Sequence, residues 1–206
     1  GAPRKIGEKE YGGGEHAEYS GPPQPKATTR CRIVSEHGWA DLVGPTVCRT
    51  LTPDEVAVVR GKLGPDPLNA DADPGQFYRA AAKSSRPIGV ILMDQAAISG
   101  VGNIFRAESL YRQKIDPLRP GKTLSDDELR RLWDDNKHLL TIGVRVGRII
   151  TTEQQDRPGI PETEAWPDHA NYVYMRHGQK CPRCSATIRM EEIAGRKLYW
   201  CPGCQK

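Results

Sequence analysis

The 206-residue sequence lacks any apolar run approaching the ~18 residues of a membrane-spanning helix, which argues against a helical membrane protein. No secretory signal pattern opens it, so the expected compartment is the cytoplasm. No internal repeat is visible, which argues against a solenoid. Aromatic residues are scarce at 6%, while Gly numbers 21 and Pro 17, the composition of a loop-rich protein with a modest core. That core suits one large domain or two small ones. A strong overall charge is missing too, because the net balance is only +4. The excess is uneven, however: residues 1–79 hold 10 Lys/Arg against 11 Asp/Glu, and residues 80–206 hold 20 against 15. A basic C-terminal part is compatible with nucleic acid but does not require it. Scattered cysteine pairs, the mark of a secreted disulfide framework, are absent as well. Four of the six cysteines crowd into the last 26 residues, which points to a metal.

What is present falls into segments. Gly12-Gly13-Gly14, Pro22-Pro23 and Pro25 make residues 12–27 read as a long loop. Thr28–Val34 and Ala40–Leu51 read as two strands about a turn at His37-Gly38. Two strands make a poor domain alone and look like the tail of a larger sheet. Cys31 and Cys48 are expected to be half-buried strand residues, not ligands. Thr52, Pro53 and Glu55 open a helix with a capping box, and Val56, Val59 and Leu63 form its apolar face. Leu63-Gly64-Pro65-Asp66-Pro67-Leu68 then reads as a rigid linker. From Asp73 the pattern is helical through Phe77, Ala81, Ile88, Ile91, Leu92 and Gln95, interrupted at Ser99–Asn103, and resumed from Ile104 to about Arg112. Ser125 and Glu128 form a second capping box, before a long helix with Leu129, Leu132, Trp133, Leu139 and Leu140 inward. Residues 151–170 read as a polar linker.

The cysteine module is more specific. Cys181-Pro182-Arg183-Cys184 and Cys201-Pro202-Gly203-Cys204 form two C-x2-C knuckles sixteen residues apart. Two intervening residues let both sulfurs of a knuckle face one ion, and two knuckles complete a tetrahedral structural zinc site. No coordination position stays open, so catalytic zinc is not expected. Thr187–Met190 and Lys197–Trp200 read as a hairpin turning at Ala194-Gly195. Residues 172–206 carry seven Lys/Arg against two Asp/Glu, a charge suited to phosphate contact, with Arg196 beside the turn. The alternative for Arg196 is a solvated surface side chain.

Gly100-Val101-Gly102-Asn103 joins two apolar-faced helices. Gly100 and Gly102 permit a sharp, partly left-handed backbone and close approach of a partner. Asn103 can cap the following helix or offer its amide to a phosphate.

The run Asp94–Glu108, followed by Ile115-Asp116-Pro117-Leu118-Arg119-Pro120, resembles the helix-two-turn-helix signature of the formamidopyrimidine-DNA glycosylase / endonuclease VIII family. Tyr199–Lys206 resembles the end of that family's zinc finger, Leu63–Leu68 its interdomain linker, and Tyr172-Val173-Tyr174 the approach to the finger. The resemblance covers about residues 30–206. It implies a base-excision glycosylase and abasic-site lyase that flips an oxidised base out of duplex DNA. By the same resemblance Asn103 and Arg196, with Gly100 and Gly102, meet the phosphate backbone around the lesion. The family's nucleophile is an N-terminal proline amine followed by glutamate. Here Pro3 is followed by Arg4, so no catalytic residue is identifiable, and Glu8 and Glu10 read as surface charges. Gly89 also departs, standing where many members have a lysine; that phosphate contact is expected to be either missing or supplied by Arg86 or Lys83.

The expected class is therefore α+β. Residues 1–68 are expected to be the remnant of an N-terminal catalytic β-sandwich domain with its linker. Residues 69–150 form the helix-two-turn-helix domain, 151–171 a linker loop, and 172–206 a four-cysteine zinc finger. The expected partner is double-stranded DNA with an oxidised base or abasic site, bound by a monomer in the bacterial cytoplasm at the nucleoid. The reading leans to an endonuclease VIII-like, N-terminally truncated member that retains DNA binding only. The alternatives are a non-enzymatic DNA-binding protein of the same descent and an RNA-associated zinc ribbon.

Overall fold

A computed structural model describes residues 21–45 and 47–206, which fall into two compact units divided between Ala57 and Val58. The residues around Pro3, Glu8 and Glu10, and the glycine-rich stretch 12–20, lie outside the described ones.

In the first unit β1 (Thr29–Ser35) and β2 (Gly38–Val43) form an antiparallel hairpin, with Ser35 opposite Gly38 and Arg32 opposite Asp41. Arg32 grips Asp41 through two bonds of 2.7 and 2.8 Å and lies 5.2 Å from the Trp39 ring centre. This bond holds the Asp41 carboxyl below its usual range. The second strand is shorter than the sequence implies. Gly44, with φ +66°, turns the chain after Val43, and Pro45 has no N–H for a ladder. Cys31 and Cys48 are both exposed, and Cys48 lies outside any strand, which corrects the half-buried expectation. Cys31 and Leu42 across the ladder lie on the face opposite to the part-buried Arg32, Trp39 and Asp41, so alternation leaves Cys31 exposed. α1 (Pro53–Arg60) has its capping box, with Thr52 N–H on Glu55 Oε2 at 2.8 Å and Glu55 N–H on Thr52 Oγ1 at 3.3 Å. None of its residues is buried, and of the apolar face read from Val56 and Val59 only Val56 is part-buried.

The second unit holds α2 (Gly75–Ala82), α3 (Ile88–Ile91), α4 (Asn103–Arg112), α5 (Asp126–Val146), β3 (Arg189–Ile193) and β4 (Arg196–Trp200). Residues 63–68 pack against it. Gly64 N–H reaches the Gln95 carbonyl at 2.8 Å, and a Cβ on Gly64 would stand 2.6 Å from the Ala97 carbonyl carbon. α5 starts at the Ser125–Glu128 capping box and ends at Gly147 in the left-handed region. Glu128 also takes two bonds from Arg119, at 2.7 and 3.0 Å, which hold its carboxyl down to about 2.

Two apolar clusters share α4. On one side Phe77, Ile88, Leu92, Ile98, Phe105, Leu110, Leu132 and Trp133 form the helical core. On the other, Ala107 and Tyr111 join Tyr172, Val173, Ile188, Leu198 and Trp200. Each large apolar side chain buried this way stabilises the unit by about 1.5–3 kcal/mol. A helix buried from Phe105 to Tyr111 is therefore the common wall of the helical domain and the finger. The polar stretch 151–170 is not a loose linker, because Thr151, Arg157, Ala165 and Ala170 within it are buried.

Candidate nucleic-acid interface and metal centre

The helix-joining loop is built by one side chain. Gln95 accepts from Gly100 N–H at 3.0 Å and donates to the Val101 carbonyl at 2.9 Å, so its amide clamps both sides of the turn. Gly100 sits at φ +83°, which a side chain rarely adopts, whereas Gly102 is extended and needs no glycine for its backbone. A Cβ on Gly102 would meet no atom within 4 Å, so the space in front of α4 is clear.

Asn103 is the first residue of α4 and does not cap it. Its amide instead donates to the Lys197 carbonyl on β4 at 2.9 Å, and its Oδ1 accepts a short bond from Arg106. Arg106 is fully buried; it also reaches the Gly89 carbonyl at 3.2 Å and the Lys197 carbonyl at 3.4 Å. Burial, reinforced by the like charge of Arg196, pulls the Arg106 guanidinium down to about 10. Arg196 itself is exposed at the start of β4, paired with Ile193 across a turn in which Ala194 and Gly195 both have positive φ. Such a turn matches the twist of a two-residue hairpin. Asn103 and Arg196, 93 positions apart in sequence, are thus brought together at the junction of α4 and the finger. Arg86 pairs with Asp94 at 3.0 Å at the surface. An open cleft of about 990 Å³, lined by Arg60, Gly64, Asp66 and Arg79 among others, includes none of Asn103, Arg106, Arg196 and Lys197.

The sulfurs of Cys181, Cys184, Cys201 and Cys204 all lie within 4.8 Å of one another, with 3.7 Å between Cys181 and Cys204 and 3.3 Å between Cys184 and Cys201. A tetrahedral zinc with sulfurs at about 2.3 Å requires edges of about 3.8 Å, so the donors fit that ion. Burial works against a Cys181 thiolate. The Tyr111 hydroxyl at 3.2 Å, and backbone N–H groups of the knuckle, outweigh it and bring the thiol to about 7. The knuckle is locked from both sides. The Arg183 guanidinium lies 4.7 Å from the Tyr172 ring centre and 2.7 Å from Asp156, and the Gln205 side chain bridges Cys201 N–H and the Ile115 carbonyl.

Sequence reasoning missed the anchor between these parts. Glu108 on α4 is fully buried and takes four donors: the N–H groups of Tyr172, Val173 and Tyr174 at 2.7, 2.8 and 2.7 Å, and the Thr151 hydroxyl at 2.6 Å. Burial pushes its carboxyl above the usual range, and those donors pull it back.

Residues 63–155 match the formamidopyrimidine-DNA glycosylase H2TH domain, and residues 178–206 match the zinc finger found in FPG and IleRS. Endonuclease 8 1 of Mycobacterium tuberculosis is 43% identical over 184 residues, which are 89% of this chain and 68% of that protein. Formamidopyrimidine-DNA glycosylase of Thermus thermophilus is 38% identical over 150 residues, 70% of this chain and 54% of that protein. Among solved structures, the MutM (Fpg) protein of Thermus thermophilus aligns with a TM-score of 0.66 at 30% identity, over 90% of this chain and 71% of that one. Lactococcus lactis Fpg in complex with abasic-site DNA aligns with a TM-score of 0.59 at 26% identity, over 82% of this chain and 58% of that one. The chain thus spans between about half and seven-tenths of the length of these relatives. No helix of the described residues is long and apolar enough to cross a membrane. Asn103 lies inside the first match, and Arg196 and the four cysteines of a structural zinc site lie inside the second. With a relative 43% identical over 68% of its own length, the chain belongs to the formamidopyrimidine-DNA glycosylase / endonuclease VIII family.

Proposed function

We propose that this chain grips duplex DNA carrying an oxidised base or an abasic site, as the DNA-holding part of a base-excision glycosylase and lyase. The observation that carries the reading is the Asn103 amide bonded to the Lys197 carbonyl, which sets a half-exposed amide beside the exposed guanidinium of Arg196. Two such donors at a helix N-terminus suit two oxygens of a phosphate backbone. The clear space before Gly102 lets that backbone approach, and the seven Lys/Arg of residues 172–206 supply the accompanying field.

Asn103→Ala and Arg196→Ala are each expected to weaken binding of an abasic-site duplex by about 1–3 kcal/mol, or about five- to 150-fold. Arg196→Ala should also lower the slope of log affinity against log salt by about one phosphate contact. Anisotropy titrations at several salt concentrations read both, and wild-type affinity in both variants overturns the reading.

The same proposal assigns the excision chemistry outside the described residues. Iminium formation at C1′ needs an amine with a free lone pair held against the sugar. In the sequence Pro3 is acylated by Ala2 and followed by Arg4, so its nitrogen is an amide without that lone pair. The 206-residue polypeptide is accordingly expected to bind an abasic-site duplex and leave no borohydride-trapped adduct. An adduct formed at the rate of a full-length relative overturns this part and leaves the binding reading intact.

A further inference from the structure

Arg106 is an unusual charge to find inside a protein. It is fully buried, yet its hydrogen-bond partners are all neutral: the Asn103 side-chain oxygen and the carbonyls of Gly89 and Lys197. Its Nε has no partner, and no carboxylate among the described residues pairs with it. The charged side chain that bears on it is Arg196, of the same sign. By contrast Arg112, nearly as buried two turns further along α4, faces Asp135 at 2.9 Å. Burying a cation without a counter-ion is unfavourable, and carbonyl dipoles offset only part of that. The N-terminus of the ten-residue α4 adds positive potential at the same place. An anion arriving here supplies the charge that the protein leaves out.

The bonds define what Arg106 does to its neighbour. An asparagine amide can present either its oxygen or its nitrogen to a given side. With Oδ1 held by the guanidinium, the nitrogen faces Lys197, and one amide hydrogen meets that carbonyl. The second amide hydrogen has no partner among the described residues and is left for a ligand. Arg106 also touches the Lys197 carbonyl, so it ties the strand bearing Arg196 to the helix bearing Asn103.

We infer that Arg106 is a positioning residue for a phosphodiester site formed by Asn103 and Arg196, fixing the amide orientation of Asn103 and lending the site a buried positive charge that the bound phosphate answers. This rests on the DNA-binding reading above and names a residue that sequence reasoning passed over. The sequence-based candidates for an extra phosphate contact were Arg86, which pairs with Asp94 at the surface, and Lys83.

The test is a double-mutant cycle on the full chain with zinc bound, using a duplex that carries a stable abasic-site analogue. Arg106→Met is expected to weaken binding by about ten-fold or more, with zinc content unchanged. Because Arg106 acts in part through Asn103, the Asn103→Ala, Arg106→Met double variant should lose clearly less affinity than the product of the two single losses. In amide-selective NMR, duplex binding should shift one Asn103 side-chain proton in the wild type and neither in Arg106→Met. A merely structural role predicts losses that multiply and a shift that survives, and either result overturns the inference. Should Arg106→Met fail to fold, Arg106→Lys decides, since an ammonium keeps the charge but cannot hold Oδ1 and two carbonyls as the guanidinium fork does. Binding by Arg106→Lys within about two-fold of wild type also overturns it. If wild-type protein does not bind the duplex, the DNA-binding reading itself falls. Wild-type binding that is weakened by Arg196→Ala but not by the Arg106 variants removes this inference alone.

Discussion

Chelation of the metal is expected to unfold residues 178–206 while leaving the helical core folded. The finger has a two-stranded sheet and few apolar side chains of its own, and a module of that size has too little core to stand unaided. Zinc bound by four thiolates supplies on the order of 10–16 kcal/mol at neutral pH, far more than the hairpin could replace. The helical side keeps its own core around Phe77, Ile91, Leu110, Leu132 and Trp133, none of which depends on a cysteine. Hydrogen exchange after chelator treatment should therefore show lost protection at β3 and β4 and retained protection in α2 and α5. Duplex affinity should fall with it, because Asn103 and Arg106 both lose the Lys197 carbonyl that holds them against β4. Wild-type protein should carry one zinc per chain, and Cys184→Ser should reproduce the exchange pattern without chelator. Retained hairpin protection in protein stripped below a tenth of an equivalent would refute the assignment of zinc as the structural centre.

The parts of this architecture governed by local chemistry were legible in the sequence. Both capping boxes, at Thr52–Glu55 and Ser125–Glu128, formed as their spacing implied, because each is closed within four residues. The two knuckles converged because C-x2-C leaves the sulfurs little choice. What sequence could not supply was the partner of a side chain whose bond spans the fold. Asn103 looked equally able to cap α4, and only the seating of β4 against α4 decided for Lys197. Gln95 fitted an apolar periodicity by position, while its amide is what holds the Gly100 turn. Glu108 and Arg112 stand four apart on one helix, the spacing of a routine surface ion pair. Tertiary packing separates them, sending Arg112 to Asp135 and Glu108 into the chain that enters the finger.

Glu108 carries the other large expected effect. Its two oxygens are fully used: Oε1 takes the N–H groups of Val173 and Tyr174, and Oε2 takes Tyr172 N–H and the Thr151 hydroxyl. Glu108→Ala would leave the amides of Tyr172, Val173 and Tyr174 facing a void, while the Thr151 hydroxyl can turn to the Ala170 carbonyl. Each unsatisfied buried donor costs about 1–3 kcal/mol, so three stranded amides cost about 3 kcal/mol or more. Against a total stability of about 5–15 kcal/mol, that is enough to prevent folding or leave the protein marginal. Glu108→Gln separates shape from charge. The volume is kept, but one acceptor becomes an NH2 group. Placed toward Thr151 it can donate to the hydroxyl, which already lies 2.9 Å from the Ala170 carbonyl and can donate there instead. Tyr172 N–H then still faces a donor, and turning the amide over strands Val173 and Tyr174 together. The expected cost is about 1–3 kcal/mol for glutamine, always smaller than for alanine. Urea unfolding of both variants, each loaded with zinc, reads the order directly. An alanine variant within about 1 kcal/mol of wild type would mean that residues 172–174 find other acceptors and that Glu108 does not hold the finger to α4.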